Sequence, residues 1–492
     1  MNEIVAYGMG AKWRENEERL AIIDGEKSIT YKQLENEVAH ISAYLVSLGV
    51  MCEDKIFVYM ERGIEYVTVM FAILKAGACF VPFDKNMKET EIISCFQEIE
   101  GRYIFTDDIV IENELCNKVI KYKLAREATI NSISFPEIYE SSLAYIIFTS
   151  GTTGKQKGVM IEYKSLYNLI MALNERVYEY PNKNIRVGVT ASFSFDASIK
   201  QIFYSLYFAH TLVIIKNEAK YFGRKFIDYL NKYSVEVVDV TPSLLQLIVM
   251  DKRRGITHTL QKILIGGEKL TKDTVRKVYG CFGDKIRIFN MYGPTECCVD
   301  VAAYEIKEED MVREDEDLPI GKPLKNVSFS IREIDENGVG ILYISGIAVG
   351  RGYTNSSDGF FNENGMQVYR SGDLAYVDGK GNYFIIGRKD RQVKLRGFRI
   401  ELEGIDNCFR ELEGVSFSYT VLEQIKGREV LVSFIKSRSN NKSEFISKFR
   451  EKYPFCIVSN YIIFIDRIKL NTNGKVDYKY YKKIFHEHLG TL

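Results

Sequence analysis

The sequence predicts an α/β fold: a large N-terminal domain of parallel sheets with flanking helices and a small β subdomain, followed by a small α+β domain at the C-terminus. Three observations carry this expectation. The chain has 492 residues, about three times the ~150-residue prior for one domain, so more than one folding unit is required. Strand, glycine loop and helix follow one another in repeated units. Beyond residue 320 the texture changes to short strands broken by glycine.

Ala144 to Ser150, AYIIFTS, is a short apolar run ending in small residues, as a buried strand feeding a loop would be. After the loop, Leu166, Leu169, Ile170 and Leu173 fall at i, i+3, i+4 and i+7, one face of a helix. The grammar returns at Val235 to Val240. Thr241 there is placed as an N-cap and Pro242 at the first helical position, with Leu244, Leu245 and Ile248 on one side. Such units favour a parallel sheet. The acidic stretch Glu305 to Asp317 reads as a solvated surface loop. GILYISG from Gly340 and the segment Gly379 to Gly397 read as short strands. Val415 to Ile435 carries two strand-like runs, Phe445 to Lys452 a helical stretch and Tyr461 to Ile465 a last strand.

Lys plus Arg and Asp plus Glu are both 66, so the net charge is zero and no global field draws the chain to nucleic acid or a membrane surface. Nine scattered cysteines without a CxxC pair read as reduced thiols. The most apolar long window, Val67 to Phe83, contains Lys75, Gly77 and Pro82 and falls short of the roughly 20 residues a spanning helix needs. With no signal-peptide pattern at the start, the expected location is cytoplasmic. Five histidines and no HExxH argue against a zinc hydrolase.

The chemistry begins at Thr149-Ser150-Gly151-Thr152-Thr153-Gly154-Lys155-Gln156-Lys157. Glycines let backbone N–H groups approach an anion, hydroxyls donate to phosphate oxygens and lysines neutralise charge, so the loop is built as a phosphate cradle. It is not a Walker A loop, because Gln156 stands where Ser or Thr would hold magnesium.

The loop resembles the signature of the adenylate-forming superfamily, which includes nonribosomal peptide synthetase adenylation domains, acyl-CoA synthetases and luciferases. Gln156 departs from the proline usual there. The resemblance follows the family's motif order along nearly the whole chain. ITYKQL from Ile29, LKAGACFVPFD from Leu74, FSFDAS from Phe193, NMYGPTE from Asn290, YRSGDL from Tyr369, GRKDRQVKLRGFRIELEGID from Gly387 and NGKVD from Asn473 carry it. It implies that a substrate carboxylate attacks the α-phosphorus of ATP, with Mg2+ as the metal and pyrophosphate as the leaving group. Such a reaction needs cations and positioning more than a general base.

By the resemblance, the cradle's Thr149, Ser150, Gly151, Thr152, Thr153, Gly154 and Lys157 meet the phosphates. Glu296 binds the metal, and Thr295 meets the α-phosphate. Asn290 and Tyr292 hold the adenine beside Gly266 and Gly267, Asp373 accepts the ribose hydroxyls, and Arg388 assists. Lys475 matches the mobile catalytic lysine, and Asp390 the hinge about which the C-terminal domain swings. The implied domains are an adenylation core at 1–388, a hinge at 389–391 and a mobile domain at 392–492.

Asp196 matches the aspartate that pairs with a substrate α-ammonium, and an unpaired buried aspartate would be costly, so an amino acid is favoured. The resemblance adds Ala197, Lys200, Asp239, Leu264, Gly266, Met291, Val299, Asp300 and Lys475 to the pocket. Lys200 lies one helical turn after Asp196 and, if it faces the same cavity, wants an anion. Opposite unit charges about 4 Å apart attract by roughly 4 kcal/mol at an effective dielectric near 20, before desolvation is subtracted. The Asp-Ala-Lys-Asp-Leu-Gly opening resembles the set of glutamate-activating domains, and L-glutamate is the expected substrate. Glutamine is the nearest competitor, and a purely structural tie from Lys200 to Asp239 and Asp300 is the bland alternative.

The sequence ends fifteen residues after Asp477, and the expected partner is a separate phosphopantetheinylated carrier protein, loaded in trans. An MbtH-type activator is a further partner class that the resemblance allows. An acyl-CoA or D-alanine-carrier ligase, and a non-catalytic nucleotide or amino-acid sensor, are the readings from other classes.

Overall fold

The computed structural model describes residues 5–85, 87, 89–107, 115–129, 134–150, 156–179, 183–249, 257, 259–313, 317–389, 392–395, 398–425, 428–438, 441–452, 459–469 and 476–490. The chain divides into two units. One comprises Met1–Ile147 with Gly158–Lys389, the other Phe148–Lys157 with Asp390–Leu492.

The sheet that matters most for the site has eight strands. In spatial order they are Ala302–Glu305, Arg287–Tyr292, Lys262–Ile265, Val237–Val240, Arg186–Val189, Thr211–Ile214, Leu20–Asp24 and Lys27–Thr30. The inner six run parallel and each edge strand is antiparallel to its neighbour. Its inner strands, such as Val237–Val240 and Lys262–Ile265, are buried at every position, as strands covered on both faces must be. The predicted unit after Val240 forms as expected: the helix is Pro242–Val249, and Thr241 Oγ1 accepts from the Leu244 amide at 3.2 Å. A second sheet of seven strands contains the parallel set Lys55–Met60, Cys79–Asp84, Tyr103–Thr106 and Val119–Lys121. The helix Tyr163–Leu173 buries Leu166, Leu169, Ile170 and Leu173, the face that the periodicity marks.

The small β subdomain is an antiparallel sheet of Val327–Arg332, Gly340–Gly346, Met366–Val377, Phe360–Glu363 and Tyr383–Arg388. In the second unit, Val415–Ile425, Arg428–Ser437 and Tyr461–Phe464 form a three-stranded sheet, with helices Leu402–Arg410, Lys442–Lys452 and Tyr478–Gly490. Among the described residues, no helix is long and apolar enough to cross a membrane, and the described cysteines are free thiols.

One expectation needs correction. Glu305 to Asp317 is not a solvated loop throughout, because Glu308–Val312 is a short helix with Asp310 buried. Asp310 accepts from the Lys307 amide at 2.8 Å and the Tyr304 hydroxyl at 3.2 Å, so this acid caps its own helix.

Gly280 lies exposed within the helix Lys272–Phe282, with nothing within 4 Å of an added Cβ. Gly280→Ala is expected to stabilise the protein by roughly 0.8–1 kcal/mol, read as a higher melting temperature. An unchanged or lower value would contradict the open geometry.

Candidate active site

The carboxyl ends of the parallel strands in the eight-stranded sheet bring the predicted residues together, where open α/β sheets bind ligands. Asp239 lies in Val237–Val240, Leu264 in Lys262–Ile265 just before Gly266, and Asn290, Met291 and Tyr292 close Arg287–Tyr292. The chain leaving Val189 runs through Phe193 into the helix Asp196–Tyr207, which places Asp196 in the first turn and Lys200 one turn on. A carboxylate in the first turn is favoured by the helix dipole.

Lys200 is 2% exposed. Its ammonium lies 2.6 Å from Asp239 Oδ2 and 2.7 Å from Asp300 Oδ2. The hydrogen bond is directed at Asp300; Asp239 Oδ2, although close, has no directed hydrogen-bond partner. Burial alone would push the lysine's pKa down, but the two carboxylates overcome it and hold Lys200 charged, above the ordinary lysine range. Burial pushes Asp239 up to about 6, against the pull of Lys200. The side chain expected to await a substrate carboxylate therefore already stands between two carboxylates, in a cluster of net charge −1 when all three ionise. Leu264, Met291 and Val299 are buried in the main apolar core and form a hydrophobic wall, while Ala197 is half-buried.

Thr295 Oγ1 donates to Asp196 Oδ2 at 2.6 Å. That bond ties the residue expected at the substrate ammonium to the one expected at the α-phosphate. Glu296, beside Thr295, is fully buried, and the hydroxyl of Tyr353 donates to its Oε1. Tyr353 also lies 3.4 Å from the Tyr369 hydroxyl. Motif reading missed Tyr353; its only sequence signal is the glycine-rich Gly350-Arg351-Gly352 before it.

The loop that carries Thr295 and Glu296 is closed by Val301 N–H donating to Tyr292 O at 2.8 Å. Within it Cys298 and Val299 have φ of 56° and 74°, and the Asp300 amide donates to Cys298 O at 3.0 Å. This is a γ-turn with a β-branched residue at its left-handed centre, a strained arrangement. It aims Asp300 back at Lys200.

Among the residues expected at the nucleotide, Tyr292 Oη donates to Asp373 Oδ2 at 2.5 Å, and Arg388 donates to Asp373 Oδ1 at 2.6 Å and to Ser371 O at 2.9 Å. Asp373 is thus fixed from both sides. Burial, then the Asp373 charge, pushes the Tyr292 phenol far up, so it stays a donor. Asn290 Nδ2 donates to Pro319 O at 2.9 Å. An added Cβ on Gly266 would sit 3.0 Å from Met291 Cβ, and Gly267 has φ of 85°. Both glycines are therefore set by close approach and backbone sign.

In the second unit, Thr149 Oγ1 lies 3.4 Å from Lys157 O. Ser150 ends the strand Leu143–Ser150. Gly151, Thr152, Thr153, Gly154, Asp390 and Lys475 lie outside the described residues. Among the described residues, no group of three or more His, Cys, Asp or Glu could hold a metal. A single buried carboxylate next to a hydroxyl fits magnesium, which takes one or two carboxylates and completes its shell with water and substrate phosphates.

The AMP-binding enzyme family pattern matches residues 10–354. The chain belongs to this family of adenylate-forming ligases. It is 31% identical over 483 residues to Bacitracin synthase 1 of Bacillus licheniformis, covering 93% of this chain and 9% of that protein. Against Surfactin synthase subunit 1 of Bacillus subtilis (strain 168) it is 32% identical over 481 residues, covering 93% and 13%. The chain thus spans a small fraction of the length of both relatives. Its fold matches NpsA-ThdA, an artificially fused Adenylation-PCP di-domain NRPS from Klebsiella oxytoca, with a TM-score of 0.81 at 22% identity, covering 93% of each chain.

Proposed function

We propose that the protein activates an amino acid, L-glutamate in preference to others, as the aminoacyl adenylate, and transfers it to the phosphopantetheine thiol of a separate carrier protein. The observation that carries this reading is the 2.6 Å bond from Thr295 to Asp196, one helical turn from the buried Lys200 cluster. It joins an ammonium-binding carboxylate to a phosphate-facing hydroxyl.

In this reading Asp196 pairs with the α-ammonium and turns the substrate's α-carboxylate toward the nucleotide. A carboxylate oxygen forms a bond to the α-phosphorus as the bond to pyrophosphate breaks, and no proton need be removed first. Thr295 donates to the α-phosphate, Asp373 takes the ribose hydroxyls with Arg388 and the Tyr292 hydroxyl holding it in place, and Asn290 and Tyr292 hold the adenine beside Gly266 and Gly267. Glu296, oriented by Tyr353, would hold Mg2+, which when bound would neutralise charge on the phosphates. Thr149, Ser150, Gly151, Thr152, Thr153, Gly154 and Lys157 cradle the phosphates. Lys475 bridges the substrate carboxylate and the charge developing at phosphorus. Residues 1–388 act as the core, 389–391 as the hinge around Asp390, and 392–492 as the mobile domain. The carrier partner draws support from the Adenylation-PCP pairing of the structural neighbour.

A glutamate side chain would bring a third carboxylate to Lys200. Asp239 absorbs the conflict: with its pKa already near 6, protonation at neutral pH costs only about 1.4 kcal/mol per unit of pH. Asp239 is faced by Lys200 and Gln201 from the helix, Asp300 from the loop and Tyr178 from the segment after Leu173. Above pH 6 it is ionised in the empty site, so glutamate must bind with proton uptake.

The test is ATP/pyrophosphate exchange across the twenty amino acids, repeated for glutamate and glutamine between pH 6 and 8. Glutamate should give the strongest signal, its KM rising by up to about tenfold per pH unit above 6, while that of glutamine stays flat. A signal from an apolar amino acid with none from glutamate would overturn the substrate. Exchange supported only by fatty acids would overturn the amino-acid class, and a pH-independent glutamate KM would overturn the role of Asp239.

A further inference from the structure

Two buried polar side chains on the elements around Lys200, the Tyr178 hydroxyl and the Gln201 amide, make no directed hydrogen bond, while Asp239 Oδ2 is held by its ion pair with Lys200 at 2.6 Å. A buried polar atom left without a partner is costly, so these side chains at a charge cluster mark a place where a polar ligand group supplies the missing partners.

The backbone is built to present Tyr178. After the helix Tyr163–Leu173 the chain makes a π-helical turn, Asn174–Tyr178, that ends at Glu179 with φ of 58°. Turns of this type often occur at functional sites. Lys262, 1% exposed, clamps the turn by donating to Val177 O at 2.8 Å and Tyr178 O at 2.6 Å. The Tyr178 ring stacks on Tyr204 of the Lys200 helix, with centroids 3.5 Å apart and planes 12° from parallel. Burial, then the charges of Asp239 and Asp300, pushes the phenol well above its ordinary range, so it remains a proton donor. Gln201 is fully buried and close enough to Asp239 to favour its charged form, without a directed bond from its amide.

We infer that Tyr178 and Gln201 are specificity-determining residues that complete the side-chain end of the amino-acid site, donating to the substrate's side-chain carboxyl alongside Lys200. This rests on the acidic-substrate reading proposed above. Lys200 supplies charge but is shared with two acids, and the Gln201 amide lies against Asp239; the phenol is the donor not yet spent.

The experiment uses the full chain and two stable probes, glutamyl and alanyl sulfamoyl-adenosine, with dissociation constants measured by calorimetry for the wild type, Tyr178→Phe and Gln201→Leu. Tyr178→Phe keeps the ring and its stack, and the lost hydroxyl has no protein partner, so the melting temperature should stay within about 2 °C. The glutamyl probe should bind about tenfold or more weakly to each variant, and the alanyl probe equally well to all three proteins. A wild type that prefers the glutamyl probe, with Tyr178→Phe unchanged, overturns this inference and leaves the glutamate reading standing. A wild type that binds both probes equally overturns the glutamate reading and this inference with it. A drop of several degrees in the melting temperature of Tyr178→Phe would assign the hydroxyl to the fold instead.

Discussion

Lys200→Ala is expected to destabilise the protein by about 3–5 kcal/mol, because it leaves Asp239 and Asp300 buried without their shared counterion. The loss should depend on pH in a definite sense. Without the ammonium, burial makes Asp239 hold its proton more tightly in the folded than in the unfolded chain. The penalty is therefore full above its folded value and fades as pH falls toward the unfolded value near 4. Chemical denaturation of wild type and variant at pH 5 and pH 8 reads this directly, and an equal loss at both would refute the buried-charge account. Glutamate-dependent exchange should fall by about a hundredfold or more. Fold and function separate in the triple variant Lys200→Leu, Asp239→Asn, Asp300→Asn. Replacing the whole network by neutral groups restores stability to near wild type, yet glutamate activation stays lost. Recovery of glutamate activation there would show the network to be purely structural.

The sequence made part of this cluster legible and hid the rest for identifiable reasons. Asp196 and Lys200 are four apart in a helical pattern, so their shared face followed from the helical period alone, and the helix is there. The strand and cap around Asp239 and Thr241 followed from an apolar run and a Thr-Pro start. The tie of Lys200 to Asp239 and Asp300, named from the sequence as the bland alternative, is present, but its geometry was not legible, because Asp300 reaches Lys200 through a γ-turn centred on Val299. A β-branched residue is the last that local preference would put at positive φ. Tyr178 was hidden similarly: the apolar period ends at Leu173, and nothing in Asn174–Tyr178 announces a π turn. Asp310 looked like one more solvated acid because its partners, the Lys307 amide and the Tyr304 hydroxyl, become visible only once the chain turns. Local pattern fixed the scaffold, and the unread part of the site is where strain departs from local preference.

The strained loop makes Gly293→Ala the second change with a large expected effect. A Cβ at Gly293 would collide with Val299 O and lie 2.7 Å from Asp300 Cα, both main-chain atoms that no side-chain rotamer can move aside. The loop from Tyr292 to Val301 must then shift as a body, and it carries three contacts with different duties. Thr295 bonds Asp196, Glu296 is held by Tyr353, and Asp300 pairs with Lys200. A displacement near 1 Å is enough to cost about a hundredfold in rate. If, as proposed, this one loop serves both substrates, KM for glutamate and KM for ATP should rise together while kcat falls. Variants at Lys200 or Asp373 should each disturb mainly one of the two. Steady-state exchange kinetics with each substrate varied in turn distinguish these patterns. A Gly293→Ala enzyme that loses affinity for only one substrate would mean that the two half-sites are positioned independently. The γ-turn at Val299 would then serve the side-chain pocket alone.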